Sequence, residues 1–400
     1  MHEIISRIVL VASLFTIACS GDDDDDDGAG AGAGAGEGEA EAEAEAEAES
    51  ESEALLLAPE LGSGDHGEDS VDFTLIADED SRLREPRDLA FNPLRDDELW
   101  IVNHADDSAV IVFHASTDER TSERRLDGYA LHFFDAPSAL AFGGAETTIG
   151  TDGTFATCGE SRNDYNHQAE HNDFMGPALW SSDLSVFAMF NPNGLGSHLD
   201  MLHCSPLCMG IAHQEDNVYW AFDGLHEAIV NYDFAQDDGI GNDDHSDGEA
   251  YRYVEGEVGY VEGVPSHVFY RAKDAMLYIA DTGNARIARL DTTSGEPGAR
   301  LTAFEPMEEY RRIDDAVIED VVPASSELLE APSGLEVRDE LIYVSDNANG
   351  RISAFTLEGE RVNWLDTGLA GGALGGMAFG PDDKLYFADS LGERVLRVDP

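Results

Sequence analysis

One short unit recurs along this chain, and it limits the folds open to it more than any other feature. Its clearest copy, Leu277 to Asp291 (LYIADTGNARIARLD), is an apolar run, a polar turn built on Asp281, Gly283 and Asn284, and a second alternating run. Leu341 to Phe355 and Leu385 to Asp399 repeat it with other turn residues, and Leu99 to Phe113 and Val218 to Phe234 are divergent copies. Alternation with period two, bounded by Asp, Gly and Asn, marks two strands joined by a tight turn. Such a unit cannot bury its apolar face alone, so the copies must pack on one another.

Around the copy at Leu341 to Phe355 four strands can be read, at Ser333 to Val337, Leu341 to Ser345, Arg351 to Thr356 and Arg361 to Asp366. Four antiparallel strands per repeat make a propeller blade. First strands begin near Pro86, Pro137, Ser205, Pro265, Pro332 and Gly371, which gives six blades. The last repeat supplies Gly376 to Phe379, Lys384 to Ala388 and Arg394 to Val398 and then stops one strand short, while an unassigned strand, Val71 to Ala77, lies upstream of the first blade. The expected fold is therefore all-β: a six-bladed β-propeller of four-stranded antiparallel blades, its ring closed by strand 71–77 completing the last blade. Closure of this kind removes exposed sheet edges. Residues Met307 to Val321, with three Glu and two Arg, predict a helix between the fourth and fifth blades.

LYIADTGNARI resembles the signature of NHL repeats, over roughly residues 71–400 and most closely in the last three blades. The resemblance implies a six-bladed propeller, a fold that hosts binding modules, scaffolds, lyases and lactone hydrolases alike.

The N-terminus predicts an address. Ile8 to Ala18 is an apolar run too short to span a bilayer and of the length of a signal-peptide core, and it ends at Cys19. Thr16 to Cys19 (TIAC) resembles the lipobox of bacterial lipoproteins, which implies cleavage before Cys19 and its lipidation, with the protein exported and anchored in the cell envelope, at the outer membrane or cell surface. Residues 20–70 then read as a disordered acidic tether: a run of Asp from Asp22 to Asp27, a Gly-Ala repeat to Gly36 and a Glu-Ala repeat to Glu53. The expected domains are 1–19, 20–70 and 71–400.

The formal net charge is −60. Residues 20–70 hold nineteen acidic residues and no Lys or Arg, and Glu3 offsets Arg7, which leaves −41 on residues 71–400. That surface repels nucleic acid and anionic membranes, so contact with lipid is expected through the anchor alone.

In this blade order the turns between second and third strands share one face with the crossings between blades, and binding residues are expected there. They include His104 and Asp106 in blade 1, Asp223 and His226 in blade 3, Asp281 in blade 4, Asp346 in blade 5 and Asp389 in blade 6. The aspartate ending the second strand recurs in blades 3 to 6, as expected of a carboxylate that accepts turn N–H groups. Blade 2 departs most from the pattern. Its face loop carries Glu160, Arg162, Asp164, His167, His171 and Asp173, and the segment leading to blade 3 carries His198, Asp200 and His203. With His267 at the start of a blade 4 strand, His198 and His203 are the candidate ligands of a divalent metal, zinc or calcium. A third irregular run surrounds His245.

With Cys19 lipidated, Cys158, Cys204 and Cys208 remain. A bridge between neighbouring blades through Cys158 and Cys208 is expected, with Cys204 to Cys208 as the alternative. The peptide-amidating lyases of the NHL family are expected to place His at the starts of several first strands. Arg87, Ser138, Ser266 and Ser333 stand there instead. The expected function is thus a monomeric binding module for a protein, peptide or glycan, the alternative being a metal-dependent lyase or hydrolase with a His-rich site at the channel mouth.

Overall fold

The computed structural model describes residues 58–400 apart from 162, 164, 165, 168–171 and 193. The predicted signal sequence with Cys19, the first part of the tether, and Arg162, Asp164 and His171 lie outside the described residues.

The chain forms an all-β six-bladed propeller. Strand β1 (Asp72–Ala77) precedes blade 1, which is β2 (Pro86–Phe91), β3 (Glu98–Asn103), β4 (Ser108–Phe113) and β5 (Thr121–Arg125). Blade 2 is β6 (Pro137–Glu146), β7 (Asp152–Gly159), β8 (Ala178–Ser181) and β9 (Asp200–Met201). Blade 3 begins with β10 (Cys208–Glu215), β11 (Val218–Asp223), β12 (Ala228–Asp233) and β13 (Glu249–Tyr253). Blade 4 is β14 (Val268–Arg271), β15 (Met276–Asp281), β16 (Arg286–Asp291) and, after a hairpin of β17 (Glu296–Arg300) and β18 (Glu309–Asp314), β19 (Val317–Val322). Blade 5 is β20 (Pro332–Arg338), β21 (Leu341–Asp346), β22 (Arg351–Thr356) and β23 (Arg361–Asp366), and blade 6 is β24 (Leu374–Phe379), β25 (Leu385–Asp389) and β26 (Arg394–Asp399). The first strands touch in ring order, and β24 returns to β2.

Strand β1 pairs antiparallel with β26, Asp72 opposite Asp399 and Phe73 opposite Val398, and so supplies the fourth strand of blade 6. The core is a set of wedges between neighbouring blades. Trp100, Phe155, Trp180 and Phe187 fill the one between blades 1 and 2, and Ile76, Leu99, Val110 and Tyr386 help fill the one between blades 6 and 1. The recurrent turn has a common backbone device: the residue just before the third strand is left-handed in five blades, at Asp107, Glu227, Ala285, Gly350 and Glu393, which reverses the chain tightly enough to pair the flanking strands.

Two expectations are corrected. The segment Met307 to Val321 is not a helix. It is the hairpin strand β18 and much of β19, and β18 pairs in parallel with β13, so blade 3 becomes a six-stranded sheet ending in β17. Tyr310 and Ile313 are buried between charged neighbours, and the available edge of blade 3 overrides helix propensity. The tether also ends before residue 70. Ala58 and Leu61 are buried against Tyr343, Ile352 and Leu365, and His66 stacks on Trp364 at 4.3 Å, because these few apolar and aromatic groups find a blade surface to cover.

Candidate functional site

The recurrent aspartates are turn parts. Asp281 is fully buried, Oδ1 accepting from Gly259 N at 2.7 Å and Oδ2 from Asn284 Nδ2 at 2.9 Å and Arg286 Nε at 2.7 Å. Asp346 accepts from the backbone N–H groups of Glu330, Ala331 and Ala348. Asp389 takes Gly392 N and Arg394 Nε. Asp223 accepts from His226, through both the backbone N–H and Nδ1. In blade 1 the same position is Asn103, whose amide reaches Arg82 O and Ser108 Oγ. Their lone pairs are committed to their own loops, and those of Asp281 and Asp346 also lock the turn to the preceding crossing.

At the mouth of the channel the loops of blades 1, 2 and 4 converge. His104, on the short 3-10 turn after β3, stands between Glu85 (3.4 Å) and Glu160 (3.5 Å). Glu160 also accepts from Tyr260 Oη at 2.5 Å and Gly263 N at 2.8 Å, and Arg87 donates to Glu85 at 2.5 Å and to Gly263 O. Burial works against charging His104, but the neighbouring carboxylates of Glu160 and Glu85 hold its pKa above the usual value. The His104 ring in turn, with Arg87 beside it, brings Glu85 down to about 2, against the cost of burial. Burial would raise Glu160, yet His104 and Tyr260 hold it low. The result is an imidazole held between two carboxylates, on the wall of a cavity of about 260 Å³ that Arg87, Asp135, Glu262 and Gly263 also line.

Below the mouth, His267 points Nε2 at Ser138 O (3.1 Å) and Nδ1 towards Asp88 (3.6 Å). Asp88 accepts backbone N–H groups from Leu89 and Leu140, and burial pushes its carboxyl up. Glu336 is pushed up to about 8 by burial, with Asp88 adding to the effect.

His198 and His203 are elsewhere, in the seam where the outer edge of blade 2 meets blade 3. His198 stacks on Phe133 with ring centroids 3.5 Å apart and bonds Leu195 O through Nδ1. His203 packs against Phe174, which also stacks on His132, with Nδ1 on Glu305 of the β17–β18 hairpin. Burial pushes both His132 and His198 down to about 3, neutral rings in an aromatic wall. His245, whose ring lies 5.8 Å from that of His203, bonds Asp200 at 2.9 Å and stands 3.6 Å from Asp238. Among the described residues, Asp200, Asp238 and His245 form a group whose ligand atoms all lie within 4.8 Å of one another, an arrangement able to hold a metal ion. Burial raises Asp200 to about 6, and burial with the Asp200 charge raises Asp238 to about 7.

The remaining candidates are dispersed. Asp106 pairs with Arg124 at 2.8 Å, His226 bridges Asp223 and Asp173, and His167 is exposed. The histidines 198, 203 and 267 proposed as one ligand set are not one, since His267 faces Asp88 and Ser138 inside the channel while the other two sit in the peripheral seam. Arg87, Glu85 and Tyr260 were missed as mouth residues, and Asp238 as a partner of His245. Arg87 alone carried a signal, as a charge in a first-strand position where blades 2, 4 and 5 have Ser. Cys158 and Cys208 are bridged, Cα atoms 5.3 Å apart, tying blade 2 to blade 3, and Cys204 is a buried free thiol.

No known family and no curated protein matches the chain in sequence. Solved structures do match its fold. An auxiliary nutrient-binding protein from Bacteroides ovatus aligns with a TM-score of 0.51 at 14% identity, over 82% of this chain and 76% of that one. An auxiliary nutrient-binding protein from Bacteroides thetaiotaomicron aligns at 0.48 and 12% identity over 79% and 69%. Regucalcin, a calcium-binding protein from Agrobacterium tumefaciens, aligns at 0.48 and 13% over 82% and 93%. The class defined by fold is the six-bladed β-propeller.

Proposed function

We propose that this chain is an exported, lipid-anchored binding module of the NHL-repeat type, which takes a protein, peptide or glycan ligand at the channel mouth and acts as a monomer. The observation that carries this reading is the open polar cavity of about 260 Å³ where the loops of three blades meet around Arg87, His104 and Glu160. The groups lining it are fixed by one another before any ligand arrives, which lowers the ordering cost of binding. The charge of −41 on residues 71–400 favours a neutral or cationic ligand presenting hydrogen-bond donors. The Bacteroides ovatus neighbour, a nutrient-binding protein by name, is compatible with the reading through its fold.

Anchoring rests on the sequence of residues 1–19. Among the described residues no helix is long and apolar enough to cross a membrane. The reading is tested by probing peptide and glycan arrays with the purified mature chain and its Arg87→Ala and Glu160→Gln variants. A ligand retained by wild type and lost by both variants supports it, whereas binding that ignores both substitutions places the ligand elsewhere. Labelled palmitate should enter the wild-type chain in a bacterial host and not the Cys19→Ala variant.

A further inference from the structure

The seam between blades 2 and 3 contains more buried carboxylate than His245, the imidazole that faces Asp200 and Asp238, can satisfy. Asp200 is fully buried on β9, where Oδ1 accepts from Met201 N at 2.6 Å and faces His245 Nδ1 at 2.9 Å. Its second oxygen, Oδ2, is buried with no hydrogen-bond partner. Asp238 Oδ2 is likewise buried without one and lies 3.6 Å from the same His245 nitrogen. Asp247 Oδ1 is a third such atom. An orphaned carboxylate oxygen inside a protein is costly and calls for a counter-charge.

We propose that Asp200, Asp238 and His245 bind a divalent transition-metal ion, with zinc the ion best suited to one imidazole and two carboxylates, and that this ion fastens the blade 3 loop 234–248 to the outer edge of blade 2. Two ligand atoms each about 2.0–2.1 Å from a shared ion stand about 3–3.4 Å apart in tetrahedral or octahedral geometry. The separations of 2.9 and 3.6 Å around His245 Nδ1 bracket that range, and the three ligand atoms all fall within 4.8 Å. Binding replaces the Nδ1 proton of His245 with the ion and gives the spare oxygens a positive partner.

The backbone already brings these groups together. Asp238 N donates to Leu199 O at 3.0 Å, Gly241 N to His198 O at 2.8 Å and Leu195 N to Gly241 O at 2.9 Å, so the loop lies along the blade edge and the three donors are placed before an ion arrives. Aromatic packing dries one side, with His203 packed against Phe174 and His132. Asp238 is only part-buried, which leaves an approach from solvent. The site is independent of the channel mouth, so ligand binding there and metal binding here stand or fall separately.

The test uses the mature chain purified without a polyhistidine tag, stripped with EDTA and titrated with zinc, manganese and calcium separately. The acidic tether is a second cation sink, so Asp238→Asn and His245→Gln variants are run beside wild type. The proposal expects about one zinc retained per wild-type chain after dialysis, a rise in Tm of several degrees with zinc, and at least a tenfold weaker affinity in both variants. X-ray absorption at the zinc edge should show one imidazole with oxygen neighbours. No retained zinc and no Tm rise in wild type would overturn it, as would equal binding by wild type and both variants, or a response to calcium alone.

Discussion

His104 Nε2 lies 3.5 Å from Glu160 Oε2, and this pair joins the turn of blade 1 to the face loop of blade 2 across the channel mouth. The pKa of His104 is raised in the fold, so the stability it contributes is fully present below its unfolded value near 6.5 and is lost as pH rises through the folded value. Glu85 runs the other way. Its contribution is present above its ordinary 4.5 and is lost as pH falls towards about 2. The clamp is therefore complete from about pH 5 to about pH 6.5 and weakens above that as pH rises through the folded pKa of His104. His104→Gln should cost about 1 kcal/mol at pH 6, discounted for partial exposure, and less at pH 9. Urea denaturation of both proteins across that range checks it, and a gap that does not change with pH would remove the imidazolium from the account.

The Cys158–Cys208 bridge spans 50 residues and crosses from blade 2 to blade 3. A closed loop of that length restricts the unfolded chain by about 4 kcal/mol in the chain-entropy view. Replacing both cysteines with Ala should therefore lower stability by roughly 2–5 kcal/mol, read from the denaturation midpoint. Cys204 should behave differently. Its thiol is buried and burial pushes its pKa up to about 12, so native protein should resist iodoacetamide and denatured protein should take up one label, as intact mass would show.

Ring closure can be tested at two adjacent residues of β1. Ile76 is 4% exposed in the wedge between blades 6 and 1, while its neighbour Leu75 is 45% exposed. Both sit on the strand that completes blade 6. If β1 holds the ring shut by burial, Ile76→Ala should cost about 2–5 kcal/mol and Leu75→Ala less than about 0.5 kcal/mol. Equal and small effects would show a strand that lies against blade 6 without closing it.

Most of the fold was legible because it is written locally. The unit Leu277 to Asp291 became β15, its turn and β16, with Asp281 opposite Arg286 as the alternation required. The closing strand was found by counting, since blade 6 lacked a fourth strand and Val71 to Ala77 lacked a sheet. What failed was non-local. Residues 309–314 are a strand because β13 offers an edge, a partner far away in sequence that propensity cannot see. The seam cluster escaped for a similar reason. Asp200 and His245 are 45 residues apart and on different blades, and no ligand spacing announces them. A polar pair such as His198 and Asp200 next to an apolar blade edge was the available signal, and it could not name its partners.

The repeated aspartates carry the last prediction, because they separate a binding face from a structural one. Asp281 receives Gly259 N, Asn284 Nδ2 and Arg286 Nε, and Arg286 is also held by Asp320 at 2.6 Å. Removing the carboxylate leaves a part-buried backbone N–H without its acceptor and a part-buried guanidinium short of one counter-charge, a loss of about 1–3 kcal/mol. Asp281→Asn keeps one carbonyl acceptor and should recover part of that loss, so the order of stability is wild type, Asn, Ala. Any ligand found at the mouth should bind all three folded proteins equally at low temperature, because Asp281 spends its oxygens on its own turn. Calorimetric titration of that ligand, beside thermal melts of the same samples, tests both halves. A tenfold loss of affinity in Asp281→Asn with an unchanged melt would instead make the recurrent aspartates contact residues.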